Sequence, residues 1–159
     1  PAFQTNGRAT AGNASIISDG AAAVVVMSRE KAEALGCRIL ATVGAQASYG
    51  IDLKYILVAP IWAIPKCLKK DGLTLQDVDL YEINEAFSGT SVAIVKELGL
   101  DMDKVNVNGG SVALGHPIGA SGCRVLVTLL HEMIREDKKT GLASLCLGGG
   151  EAVALIVKR

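Results

Sequence analysis

Three short segments of the chain carry side chains suited to acid–base or nucleophilic chemistry. Asn84-Glu85-Ala86-Phe87 follows an apolar run at Val78–Ile83 and opens a helical pattern. A sheet aims polar groups held at its strand ends, so Asn84 can orient a water or donate to a developing oxyanion. It can equally cap the helix that follows. Gly115-His116-Pro117-Ile118-Gly119-Ala120-Ser121-Gly122 sets one of the chain's 2 histidines among glycines, just before a helix. Histidine is the usual proton carrier near neutral pH, and glycine lets backbone or ligand come close. The other reading is a glycine-rich turn with an incidental histidine. Cys146-Leu147-Gly148-Gly149-Gly150 ends a strand. A thiol there serves as nucleophile or as acid/base when its pKa is tuned, and the bare Gly148 N–H suits an oxyanion. Alternatively Cys146 is a small buried residue before a hairpin.

Other chemistries fit less well. Gly110 and Gly115 have Walker A spacing, but His116-Pro117 stands where Lys-Ser/Thr is required. A GxSxG nucleophile elbow is lacking. The 4 cysteines are far apart and none forms a CxxC pair, so neither a zinc site nor a disulfide framework is expected. Cysteine usage points to a reducing compartment, the cytoplasm or an organelle matrix. Cys37, Cys67 and Cys123 read as buried small residues, and His131 as part of a solvated helix face. Lys+Arg 16 balance Asp+Glu 16, which gives no electrostatic case for nucleic acid or an anionic membrane. The longest apolar run, Ala21–Met27, is far too short for a membrane span. The first residues show no signal-peptide pattern and no initiator Met, so residue 1 is not expected to be a translation start.

The scaffold for these segments is legible in outline. The 159 residues are 50% hydrophobic, with a mean hydropathy of +0.36, enough for a buried core. Aromatics are scarce at 4%, while Gly numbers 18, which suits closely packed α/β layers. Residues 1–20 read as loop and Ala21–Met27 as a buried strand. Ser28 caps a short helix through Glu33–Leu35, closed by Gly36. Strands are expected at Arg38–Gln46, Val78–Ile83, Lys104–Val107, Leu142–Leu147 and Ala152–Val157. Tyr49–Pro60 reads as irregular. Helices are expected from Ile64–Pro65 to Lys70, over Glu85–Leu98, and over Ser121–Arg135, where Val125, Leu129 and Met133 fall on one face. Alternating strands and helices ending in a strand pair predict a layered α/β domain with a mixed sheet packed by helices.

Taken together and in order, Asn-Glu-Ala-Phe, Gly-His-Pro-Ile-Gly-Ala-Ser-Gly and Cys-x-Gly-Gly-Gly resemble the thiolase family. So do the opening Thr10-Ala11-Gly12-Asn13-Ala14-Ser15 and Ser18-Asp19-Gly20-Ala21-Ala22. The likeness covers essentially the whole chain. It implies a thiolase-like layered fold in two parts: residues 1–36 as the tail of the loop region with the last strand and helix of an N-terminal domain, and residues 37–159 as a C-terminal domain.

The resemblance also implies roles. Thiolases condense acyl-CoA with acetyl-CoA, or cleave a 3-ketoacyl-CoA with CoA, through an acylated cysteine. Cys146 then resembles the acid/base cysteine that removes the α-proton. His116 resembles the residue that activates the nucleophile and helps form an oxyanion hole. Asn84 resembles the holder of that hole's water, and Gly148 the N–H donor of the second hole. Ser15 looks like a contact to the pantetheine arm, and Ala11, Ala86 and Phe87 like lining of the same tunnel. A CoA thioester is the implied substrate, with no metal or redox cofactor.

The nucleophilic cysteine of the family has no counterpart among these 4, so the expectation is a C-terminal portion, inactive alone. It would partner an N-terminal half, be a homo-oligomer when complete, and self-associate through Ala21–Met27 when the half is missing. Ile56 and Leu57 depart from the Met-Gly common in the family, and short acyl chains are the expected preference. A thiolase-like scaffold without catalysis is the alternative from another class, and a hydrolase using Cys146 with His116 a third.

Overall fold

The structure, a computed structural model, describes residues 4–159. Its strands are β1 (Thr42–Gly50), β2 (Leu80–Ile83), β3 (Thr140–Leu147) and β4 (Glu151–Lys158), and its helices α1 (Arg29–Ala34), α2 (Pro60–Lys70), α3 (Ser88–Leu98), α4 (Ser111–Leu114) and α5 (Ser121–Arg135). Among the described residues the strands form one mixed sheet in the order β1-β4-β3-β2. β2 runs parallel to β3, and the other neighbours are antiparallel. This is the expected α/β layering.

Side-chain alternation along the strands builds a core on each face. Tyr81, Ile83, Leu142, Ala154 and Ile156 pack with Ala63, Ile64, Cys67 and Leu68 of α2 and Ile94 and Val95 of α3. The intervening residues Leu80, Ala143 and Val157 meet Val125, Leu129 and Met133 of α5. Those three α5 residues are fully buried, as their spacing requires. The turn between β3 and β4 depends on glycine. Gly150 sits at φ 88°, and a Cβ there would strike the Ile51 carbonyl oxygen.

Several expected boundaries move, each for a local reason. β1 lies four residues later than the predicted strand because its partners on β4 run from Glu151 to Lys158. The Tyr49–Pro60 stretch contains a 3-10 turn over Leu53–Val58, capped by Asp52. α2 starts at Pro60, where a missing N–H is harmless, and continues through Pro65 because Ala63, Ile64, Cys67 and Leu68 are buried together. α3 starts at Ser88 because residues 86–88 are held by the chain at 13–15. Lys104–Val107 yields one parallel bridge, Val105 to Tyr81. Asn106 then turns the backbone at φ 49° and ends the pairing.

Ala21–Met27 is not a strand. It forms neither helix nor strand, and Val25 and Val26 are largely exposed. A strand needs a partner edge, and among the described residues none reaches it. The α1 cap forms as read: the Ser28 hydroxyl accepts from the Lys31 N–H.

Candidate active site

The site segments meet at one end of the sheet. β2 and β3 are parallel, so their carboxyl ends lie together, where open α/β sheets place ligands. The Asn84 N–H, just past β2, donates to the Ser144 carbonyl at 3.0 Å, and Cys146 follows two residues along β3. Asn84 is 2% exposed and lies outside α3, whose N-cap position is Phe87. It is therefore not a helix cap. Its amide nitrogen lies 3.4 Å from His116 Nε2, and its Oδ1 accepts from the buried Ser111 hydroxyl at 2.6 Å.

The loop bearing His116 is fixed on both sides. The His116 N–H donates to the Ile16 carbonyl at 2.9 Å. Gly115 sits at φ 93°, and a Cβ there would strike Ser18. Nδ1 of His116 lies 2.5 Å from the Ser121 hydroxyl, which donates to the Pro117 carbonyl at 3.0 Å. Burial, then the nearby Arg124 charge, pulls the imidazole below its ordinary pKa, so it is neutral near pH 7. Burial pushes the half-buried Cys146 thiol above its ordinary value, so it rests protonated.

The chain at 13–17 joins the two site loops. Ser15 donates twice to the Ala86 carbonyl, from N–H at 3.2 Å and from Oγ at 2.9 Å. Ala14 bridges Phe87, and Ile17 bridges His116. Ser15, Ala86 and Phe87 are thus brought together, and Ala11 lies in the exposed turn preceding them. Gly148 is exposed in the β3–β4 turn. Of the other cysteines, Cys67 is buried and Cys123 half-buried, whereas Cys37 is exposed, contrary to expectation. His131 is exposed as expected.

Sequence reading missed the polar layer behind the site. Glu82 is 2% exposed and lies 3.5 Å from Arg124 Nη1. Burial raises its pKa to about 7 against the pull of Arg124, with Glu85 and Glu132 adding to the rise. Arg124 Nη2 donates to the Ser111 hydroxyl at 3.3 Å. Glu85 accepts from the Val112 N–H at 3.1 Å. One signal was available: Ser121 shares the stripe of Val125, Leu129 and Met133 at intervals of four.

Comparison with known proteins bears on the family and the fold. The thiolase C-terminal domain matches residues 37–159, and the thiolase N-terminal domain matches residues 1–30. An acetyl-CoA acetyltransferase of Pseudomonas aeruginosa is 57% identical over 159 residues, 100% of this chain and 40% of the relative. A probable acetyl-CoA acetyltransferase of Escherichia coli is 52% identical over the same shares. The crystal structure of the Bacillus anthracis acetyl-CoA acetyltransferase superposes with a TM-score of 0.97 at 49% identity, over 99% of this chain and 40% of that one. Human mitochondrial 3-ketoacyl-CoA thiolase in complex with CoA gives a TM-score of 0.93 at 41% identity, over the same shares. The chain thus spans about 40% of the length of these relatives. On the order of its motifs, its fold and these matches, the chain belongs to the thiolase family.

Proposed function

We propose that this chain supplies the acid/base portion of an acetyl-CoA C-acetyltransferase and works together with an N-terminal portion that brings the nucleophilic cysteine. The observation that carries the reading is the juxtaposition of Asn84 and His116, 3.4 Å apart, at the sheet end where Cys146 stands. A scaffold has no chemical need for all three.

Proton bookkeeping fits the resting states. Neutral His116 takes the proton of the incoming nucleophilic thiol, whose sulfur attacks the acetyl-CoA carbonyl. The carbonyl oxygen, negative in the tetrahedral intermediate, is stabilised by His116 and by a water held on Asn84. As the C–S bond to CoA breaks, the protonated Cys146 gives its proton to the leaving thiolate. The Cys146 thiolate then removes the α-proton of a second acetyl-CoA, and the carbanion attacks the acyl-enzyme. The Gly148 N–H belongs to the second oxyanion hole. Ser15, Ala11, Ala86 and Phe87 line the pantetheine path. The substrates are CoA thioesters, with a preference for short chains, and no metal or redox cofactor takes part. The working enzyme is a homo-oligomer of the cytoplasm or an organelle matrix.

Exposed apolar surface supports a missing partner. Val24, Val25, Val26, Ile39 and Leu40 are exposed and line a groove of about 620 Å³, open to solvent. A surface of this kind favours association. Residues 1–36 are the end of the N-terminal domain and residues 37–159 the C-terminal domain.

Acyl mapping tests the assignment of Cys146. The chain is joined to the N-terminal portion of a full-length relative, exposed to radiolabelled acetyl-CoA, quenched and digested. The label is expected on a cysteine of the added portion. A label on Cys146 would make it the nucleophile and favour a hydrolase-like reading instead.

A further inference from the structure

The proton on His116 can be placed from hydrogen-bond chemistry alone. A guanidinium only donates, and Arg124 Nη2 lies 3.3 Å from the Ser111 oxygen. Ser111 therefore spends its single proton elsewhere, on Asn84 Oδ1 at 2.6 Å. With its oxygen facing Ser111, the Asn84 amide turns its nitrogen to His116 Nε2 at 3.4 Å. That nitrogen only donates, so Nε2 must carry the lone pair.

The other side of the ring accommodates this tautomer without fixing it. The Ser121 hydroxyl donates to the Pro117 carbonyl at 3.0 Å, which leaves its oxygen able to accept from Nδ1 at 2.5 Å. The same carbonyl already accepts from the Ala120 and Ser121 N–H groups at 2.7 and 2.9 Å, so the Ser121 proton is not bound to it, and the choice of tautomer falls to the Asn84 side.

We infer that Arg124 is a positioning residue which, through Ser111 and Asn84, holds His116 as its Nδ1–H tautomer and leaves the Nε2 lone pair ready to take a proton. Arg124 is itself steadied by Glu82 at 3.5 Å and by the Thr128 hydroxyl, which accepts at 3.3 Å. The long contact from Asn84 to Nε2 is weak enough to yield when a thiol or a water competes for the lone pair. The value of the tautomer for catalysis rests on the thiolase reading above. The tautomer itself does not.

The test is a nitrogen-15 spectrum of the histidine-labelled chain, in solution or, for an associated sample, in the solid state. His131→Gln assigns the two rings. Above the titration of His116, Nδ1 is expected in the protonated, pyrrole-type position and Nε2 in the pyridine-type one. Ser111→Ala cuts the chain but keeps the Arg124 charge, and Arg124→Met removes the donor. Each is expected to admit the Nε2–H form as a second population, whereas Ser111→Thr restores the single form. An Nε2–H ring in the wild type would overturn the inference. So would an unchanged ring in folded Ser111→Ala, which alone decides if Arg124→Met does not fold. The measurement uses no substrate, so inactivity of the joined enzyme would count against the thiolase reading and not against the tautomer.

Discussion

Cys146→Ala, in the chain joined to an N-terminal thiolase portion, is expected to lower acetoacetyl-CoA synthesis by about 10²–10⁴-fold, the range for loss of a general acid/base group. The acyl-enzyme should still form, though more slowly, because its nucleophile is on another residue and a CoA thiolate can leave and take its proton from water. His116→Ala should behave differently and slow acylation itself, since the imidazole takes the first proton. Acyl incorporation in a rapid quench separates the two. The expected pair is incorporation retained in Cys146→Ala and lost in His116→Ala. Loss of incorporation in Cys146→Ala with retention in His116→Ala would reverse the two roles. The resting states in the structure support the assignment: burial leaves the Cys146 thiol protonated and the His116 imidazole neutral.

Glu82→Gln is expected to change the pH dependence of stability more than any other single substitution behind the site. Glu82 has its pKa raised from 4.5 to about 7, chiefly by burial. Between those values the folded chain keeps a proton that the unfolded chain releases. The sign follows from linkage: stability falls as pH rises through this window. The contribution is absent below about pH 4.5 and complete above about pH 7. Glutamine cannot ionise, so the variant loses this slope. Its stability relative to wild type should climb between pH 4.5 and 8 by on the order of 3 kcal/mol. Leaving Arg124 without a counter-charge adds a constant offset, so the change with pH is the quantity to read. Urea unfolding across that range checks it. Parallel profiles would show that Glu82 titrates normally in the fold.

The two site loops were legible as candidates from residue types, because a histidine among glycines and a cysteine before a glycine run combine a reactive side chain with bare backbone. α5 was legible because its burial repeats every four residues. The polar layer behind Asn84 was not. Glu82 sits in a short apolar strand and Arg124 on a helix, and the bond between them depends on α5 packing over β2. The tie between residues 13–17 and the two loops was equally hidden, because such pairing across the chain leaves no local pattern. Ala21–Met27 misled for the opposite reason. Its valines have strand character, but pairing needs an edge that no described part of this chain supplies.

The most direct test is acetoacetyl-CoA thiolysis by the 159-residue chain of verified mass, first alone and then with the N-terminal portion of a relative added. Inactivity alone and turnover after addition is the expected result. Turnover by the chain alone would contradict it, because the nucleophile would then be one of Cys37, Cys67, Cys123 and Cys146.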